Sequence, residues 1–408
     1  MKKLMIVGAG VYQVPIIEKA KRRGLYTIAI SPYGDYPGLK VADKTYDLDV
    51  RDEEGILQAA IRENIDGITT DQTDMAMRSV AYVAEKLGLP GIGYECAKLF
   101  TDKYAMRRKS EELGLPSIKC AEVDSYEAAE DFFMSLGTPV ILKPVDNQGS
   151  RGVCRVDDPE ELKEAFAEAQ KYSPSGNIII EQFIEGDEFE VDSVVIDGHE
   201  HTLMYGDIVL FDIPNVFSSC TRMYPSCRDP EVVKRLLKLN RDTIEGFGLK
   251  CGLTHSEYIA DKNGQPYLIE AAARGGGAFV SSDITLLQTG LDTSEYLIDM
   301  ALGEPISTDD IGSELCHCGT LSFYLPEGTV VKADGLQEVL DYDFVTASLL
   351  NEIRVGMKTE PFSDKTARYI SVLKADSREE LEENFRRFRD TLDIEVETPN
   401  GIKGPIWK

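Results

Sequence analysis

The segment GLTHSEYIADKNGQPYLIEAAARGGG, residues 252–277, holds two glutamates and an arginine at spacings that bear on chemistry. Asn263-Gly264 is a strong signal for a tight hairpin, and a two-residue type I′ turn sets Lys262 across from Gln265. That register puts Glu257 directly across from Glu270 on one face of the sheet. Like charges so placed destabilise a sheet unless a cation neutralises them. Oxygen ligands, with no histidine or thiolate cluster nearby, suit Mg²⁺ or Mn²⁺. A longer turn would shift the pairing. Arg274 follows with Gly275, Gly276 and Gly277. Together they offer a cation and freed backbone amides for a developing oxyanion or a transferring phosphoryl group. A plain glycine turn beside an exposed arginine is the alternative. His255 shares the face of Glu257 and either touches a substrate or packs.

Two further stretches have phosphate-like chemistry. In PVILKPVDNQGSRGV an apolar strand ends in Lys143, and a glycine-containing loop runs from Asp146 to Gly152. Backbone amides, the Ser150 hydroxyl and the Arg151 cation fit a polyphosphate; an ordinary polar hairpin loop also fits. NIIIEQFIEGDEFEVDSVV reads as strand, hinge and strand. The hinge can offer main-chain groups to an adenine edge. Glu188 and Glu190, on one face of the second strand, either reach ribose hydroxyls or form a solvated acidic edge. Leu268, on the face of Glu270 in the two-residue register, would floor the adenine pocket. No GxxxxGK[ST] motif is present, so a P-loop is excluded.

These residues need elements to hold them. KLMIV and the turn GAGVYQ open a region where strands alternate with helices to about residue 95, the pattern of a small parallel doubly wound sheet. A dinucleotide site wants a glycine where Gln13 stands, and an acid where the strand YTIAI ends in Ser31-Pro32. Nicotinamide binding is therefore disfavoured; the glycines make the turn or line a ligand crevice. Thr101 is expected to cap the helix TDKYAMRRKSEELG. Asp158, Pro159 and Glu161 form a capping-box start for another helix. From residue 119 to 302 the pattern becomes α+β, and the last hundred residues read as a smaller appended unit with one charged helix, SREELEENFRRFRDTL.

Forty-four basic against 71 acidic side chains give a formal charge of −27, which disfavours nucleic acid and anionic membranes as partners. No apolar run approaches the roughly 20 residues that span a bilayer. The start KLMIV reads as a buried strand rather than a signal, and eight scattered cysteines fit a reducing cytoplasm. Cys316-His317-Cys318 as a metal site lacks a second ligand pair, so core cysteines are the plainer reading.

The order of lysine-glycine loop, acidic hinge, paired glutamates and Arg-Gly run resembles the ATP-grasp superfamily. The N-terminal layout looks like its branch of biotin carboxylase, carbamoyl-phosphate synthetase, purine-biosynthetic enzymes and L-amino-acid ligases. The resemblance spans nearly the whole chain. It implies a Rossmann-like pre-ATP-grasp domain over 1–95, an ATP-grasp domain over 96–310 with a lid at 118–185, and a C-terminal α+β domain over 311–408. It implies that Lys103 and Lys143 hold ATP phosphates, that Glu181 and the backbone at Ile184 read adenine, and that Glu188 meets the ribose. Glu257 and Glu270 would bind Mg²⁺, with Arg274 at the reacting group. Family members usually carry asparagine, a further metal ligand, where this chain has Ala272. In that branch the GxG turn faces the substrate, so Gln13, Asp71, Gln72 and Asp74 become substrate candidates. Arg222, in DIVLFDIPNVFSSCTRMYP, is a candidate carboxylate partner on a covering loop, or part of an ordinary surface loop. The implied activity is ATP-dependent ligation of a small carboxylate to an amine through an acyl phosphate, and dimers are usual in the branch. The alternatives are a bicarbonate-using carboxylase or carbamoyl-phosphate-type enzyme, or a degenerate nucleotide-binding non-enzyme.

Overall fold

Alternate residues of the first strand, β1 (Lys3–Val7), enter two different cores. Leu4 and Ile6 pack with Ile16 and Ile17, whereas Met5 and Val7 pack with Ile56 and Val80. Helices Val14–Arg22, Glu53–Glu63 and Met77–Leu87 thus cover both faces. With β2 (Tyr26–Ser31), β3 (Lys44–Asp47) and β4 (Gly67–Thr69), the strand order is β3-β2-β1-β4, all parallel, the doubly wound layer expected from the alternation. A computed structural model describes residues 1–147, 149–306, 311–361 and 367–408.

Two helix starts differ from expectation. Asp102, not Thr101, caps Lys103–Glu112 by accepting from the Ala105 N–H; the Thr101 hydroxyl instead donates to the Ala97 carbonyl. The helix expected at Pro159 begins at Leu162, because the Glu161 N–H closes a tight turn on the Asp158 carbonyl. Its carboxylate then accepts from Asp157 rather than Asp158.

A second, antiparallel sheet has the order β5-β8-β6-β7, formed by β5 (Cys120–Val123), β6 (Val140–Pro144), β7 (Cys154–Val156) and β8 (Ile178–Gln182). Helices Tyr126–Leu136 and Leu162–Lys171 back it through Phe133, Phe166, Val140 and Ile180. The remaining strands are β9 (Gly186–Ile196), β10 (His199–Leu210), β11 (Ser219–Tyr224), β12 (Gly252–Asp261), β13 (Pro266–Ala272), β14 (His317–Phe323), β15 (Gly328–Asp334), β16 (Val345–Ser348), β17 (Lys358–Thr359), β18 (Tyr369–Ala375), β19 (Asp393–Thr398) and β20 (Gly401–Lys403). Eight of them make one antiparallel sheet, β13-β12-β9-β10-β11-β14-β18-β16. The stretch 311–408, expected as an appended unit, therefore gives three strands to the sheet that carries the paired glutamates. Helix Pro230–Gly246 covers that sheet, burying Leu236, Leu239 and Ile244 against Val191 and Tyr258. Sequence reading did not single it out, although Asp229 at the cap and Pro230 at the first position mark its start. No helix among the described residues is long and apolar enough to cross a membrane.

The β12–β13 hairpin keeps the predicted pair by an unpredicted route. Its turn has three residues, Lys262 to Gly264: the Asp261 N–H donates to the Gln265 carbonyl at 3.0 Å, and Gly264 takes φ +68°. Tyr258 then pairs with Leu268, and the register shifts so that Glu257 pairs with Glu270. Ile269 is the extra residue, a β-bulge. The longer turn and the bulge each move the register by one residue, and the two cancel at the glutamates. They do not cancel at Leu268. It faces the core beneath helix Pro230–Gly246, with Phe189 and Leu236, and floors no pocket.

Candidate functional site

Between the sheet β5–β8 and the large sheet lies a cleft. Lys103, Lys143, Ser150, Arg151, Glu181, Ile184, Glu188, Glu257 and Glu270 all line it. Its apolar lining includes Ile118, Ile141, Phe183, Phe217, Ile259 and Ile269; the bulge thus puts Ile269 where Leu268 was expected. Gly152 is not in this lining. It has φ +72° and packs under Tyr172 and Pro144, where a Cβ would come within 3.0 Å of Tyr172.

The cations and anions of the cleft are paired. Lys103 Nζ stands 2.8 Å from Glu270 Oε1 and donates to the Asn147 carbonyl. Glu181 lies between Lys143 (2.6 Å) and Arg107 (2.7 Å). Burial works to raise the Glu181 carboxyl, but Arg107 and Lys143 outweigh it and hold the group low. Burial in turn pulls the Lys143 amine below its ordinary range despite Glu181. Arg107 also donates to the Ile269 carbonyl, tying the bulge to helix Lys103–Glu112.

A second cleft meets the first at Glu257, Glu270, Gly149 and Arg151. Arg274 lines it and chelates the two oxygens of Asp74 at 2.9 and 2.6 Å. Arg222 is not on a covering loop. It sits on β11, buried, with Glu190 at 3.1 Å and Glu257 at 3.3 Å. Most of the supposed loop is β10 and β11 themselves. Glu190 is wholly buried and points to Arg222 rather than to a ribose. His255, on the face of Glu257 as expected, has Nε2 3.7 Å from both Glu190 and Glu257, and Nδ1 3.0 Å from Asp192. Burial opposes its charge, but Asp192 and then the two glutamates push the imidazole up to about 9. Ala272 pairs directly across from His255, so the imidazole borders the small side chain.

The remaining candidates are mostly structural in position. Gln13 is turned inward, its Oε1 accepting from the Gly10 N–H and its Nε2 donating to the Asp71 carbonyl. A glutamine stands where a third glycine was sought because it braces this turn. Asp71 is buried against Ser281, and burial pushes its carboxyl up to about 7. Gly276 lets the chain close on His255, where a Cβ would lie 2.8 Å from Nδ1. Gln72 and Asp74 do line the second cleft. So do Tyr12 and Arg368, which sequence reading missed because neither sits in a motif. Cys318 is buried and accepts weakly from Gln288, as a core cysteine.

A family model described as an ATP-grasp domain matches residues 136–283. Over 271 residues, 60% of this chain, the chain is 30% identical to an alanine–anticapsin ligase of Bacillus subtilis. It spans only about half (56%) of that relative's length. It is also 30% identical over 321 residues to a formate-dependent phosphoribosylglycinamide formyltransferase of Methanocaldococcus jannaschii, covering 77% of this chain and 80% of the relative. Among solved structures, an L-amino acid ligase from Bacillus licheniformis superposes with a TM-score of 0.83 at 27% identity, covering 98% of this chain and 99% of that one.

Proposed function

Since the chain belongs to the ATP-grasp superfamily, we propose that it is an ATP-dependent ligase joining a small carboxylate, such as an amino acid, to an amine. The observation that carries this reading is the junction of the two clefts at Glu257 and Glu270. Lys103 and Lys143 lie on the nucleotide side, and Arg274 lies on the other. The names of the relatives, an amino-acid ligase above all, support the same class.

In this reading ATP lies in the first cleft, its adenine between the isoleucines and its edge along the 181–184 hinge. Lys103 and Lys143 hold the phosphates, Ser150 and Arg151 approach them from the loop, and Glu188 takes the ribose. The facing carboxylates of Glu257 and Glu270 are a donor set for Mg²⁺ or Mn²⁺, which neutralises phosphate charge when bound. One oxygen of the substrate acid attacks the γ-phosphorus, the β–γ bridging bond breaks and ADP leaves. The chain's part is positioning and charge. The amine nitrogen then attacks the acyl carbon, the carbon–oxygen bond to phosphate breaks, and the amine proton passes to solvent. Arg274, fixed by Asp74, steadies the oxyanion of that step. Residues 1–95, 96–310 and 311–408 act as substrate-facing, nucleotide-binding and site-completing units, with 118–185 as the lid.

Incubation with Mg-ATP, pooled amino acids and small carboxylates, and hydroxylamine tests the reading by mass spectrometry. ADP together with a hydroxamate is expected and identifies the acid. ADP without any hydroxamate, or with carboxylation of an acceptor when bicarbonate is supplied, refutes it in favour of the bicarbonate alternative.

A further inference from the structure

Among the described residues, Arg368 is a buried cation with no ion-pair partner. Its residue is 8% exposed, and it lines the second cleft. Nη1 donates to the Ser218 hydroxyl (3.3 Å) and to the Ser219 carbonyl and hydroxyl (both 2.8 Å). Among the described residues, Nε is buried with no hydrogen-bond partner, and no acidic side chain forms an ion pair with Arg368. Arg222 contrasts with it: its charge is met by both Glu190 and Glu257. The two guanidiniums share one acceptor, since Arg222 Nε also donates to Ser219 Oγ at 3.2 Å. Burial first, and then Arg222, pull the Arg368 guanidinium down to about 10, so it remains a cation at neutral pH. Holding a buried charge unpaired costs several kcal/mol. The cost is recovered when a ligand brings the anion.

That anion is not the nucleotide's, because Arg368 lines the second cleft and is absent from the first. Nor is it the reacting carboxylate. Arg368 reaches Glu257 through Ser219 and Arg222, one side chain further from the glutamate pair. Tyr12 and Leu349 complete this end of the cleft. Tyr12 is set edge-on against Phe279, ring centroids 5.4 Å apart.

We propose that Arg368, with Arg222 and Tyr12, receives a second, non-reacting oxyanion carried by the amine substrate, so that this substrate is itself an amino acid held by its carboxylate. This rests on the ligase reading for its role in turnover, but the binding claim does not. The same pocket chemistry would accept a phosphate monoester on the amine, and the test separates the two.

The full chain is titrated calorimetrically, with and without MgADP, with each free L-amino acid, the matching amino-acid amides and 2-aminoethyl phosphate. At least one free amino acid is expected to bind, with its amide about 100-fold weaker, the loss typical of an unpaired buried charge. Arg368→Gln should lose about as much, Arg368→Lys less, and retained MgADP binding by both reports folded protein. Binding of 2-aminoethyl phosphate alone, lost in Arg368→Gln, supports the receptor and assigns it to phosphate. Equal affinity for acid and amide, unchanged affinity in Arg368→Gln, or no binding by any of these anions overturns it. Arg368-dependent binding without ADP formation in the hydroxylamine assay would sink the ligase reading while the receptor stands.

Discussion

Glu257 and Glu270 are the residues on which most depends, and Lys103 is the group that stabilises Glu270 in the structure at 2.8 Å. A divalent cation and Lys103 compete for that carboxylate, so metal binding should release the lysine toward the phosphates. Glu270→Gln and Glu257→Gln are each expected to lower kcat by two or more orders of magnitude and to raise the Mg²⁺ concentration for half-maximal rate. Steady-state kinetics across a Mg²⁺ series checks this, and variants with unchanged metal dependence would refute it. Asp71 gives a pH prediction. Its carboxyl is raised from 3.8 to about 7 by burial, so the folded state binds more protons than the unfolded one between those values. Stability is lost as pH rises through that window and no further above it, at up to about 1.4 kcal/mol per pH unit. Asp71→Asn lacks the ionisation. Its melting temperature relative to the parent should rise between pH 5 and 7 and level off by pH 8; a pH-independent gap would count against the assignment.

At the scale of elements, the β12–β13 hairpin shows how a correct pair can come from a wrong turn. Asn263-Gly264 signals a hairpin, but the side chain and carbonyl of Asp261 close a longer turn by accepting from the Asn263, Gly264 and Gln265 N–H groups. Ile269 then bulges, held by Arg107, and Glu270 returns to the face of Glu257. Alternation along the sequence cannot reveal a bulge, and so it puts Leu268 on the wrong face. Ile269→Ala should raise the KM for ATP several-fold while leaving that for the other substrates unchanged, whereas Leu268→Ala should chiefly lower stability, by about 2–5 kcal/mol. The glycine run has a similar packing constraint. A Cβ on Gly275 would stand 2.1 Å from Ser281 Oγ and 2.6 Å from Asp71 Oδ1. Gly275→Ala should therefore cost roughly 1–3 kcal/mol in denaturant unfolding, and an unchanged midpoint would show that the loop relaxes freely.

For the whole molecule, the first cleft is shared by two separate sheets, so a nucleotide that fills it stabilises their juxtaposition. Mg-nucleotide at 100 times its Kd should add about 2.7 kcal/mol of stability. Excess EDTA should remove most of that gain and all turnover, and Mg²⁺ or Mn²⁺ should restore both. Differential scanning calorimetry with and without chelator is the check. The sequence alone determined the layers and many of the residues that line the first cleft. Strand–helix alternation is a local periodicity, and Lys143, Glu257, Glu270 and Arg274 stand in motifs whose chemistry is legible at short range. Tertiary structure decided the rest, because contacts between residues far apart in the chain leave no local pattern. It joined strands β14, β16 and β18 to the glutamate-bearing sheet, turned Gln13 and Gly276 from substrate contacts into packing, and set Glu190 and Asp192 beside His255. It also brought Arg368, about 150 positions from Ser219, to a cleft whose other cations already have partners. Burial and pairing are properties of a site, and this site exists only once the sheets are assembled.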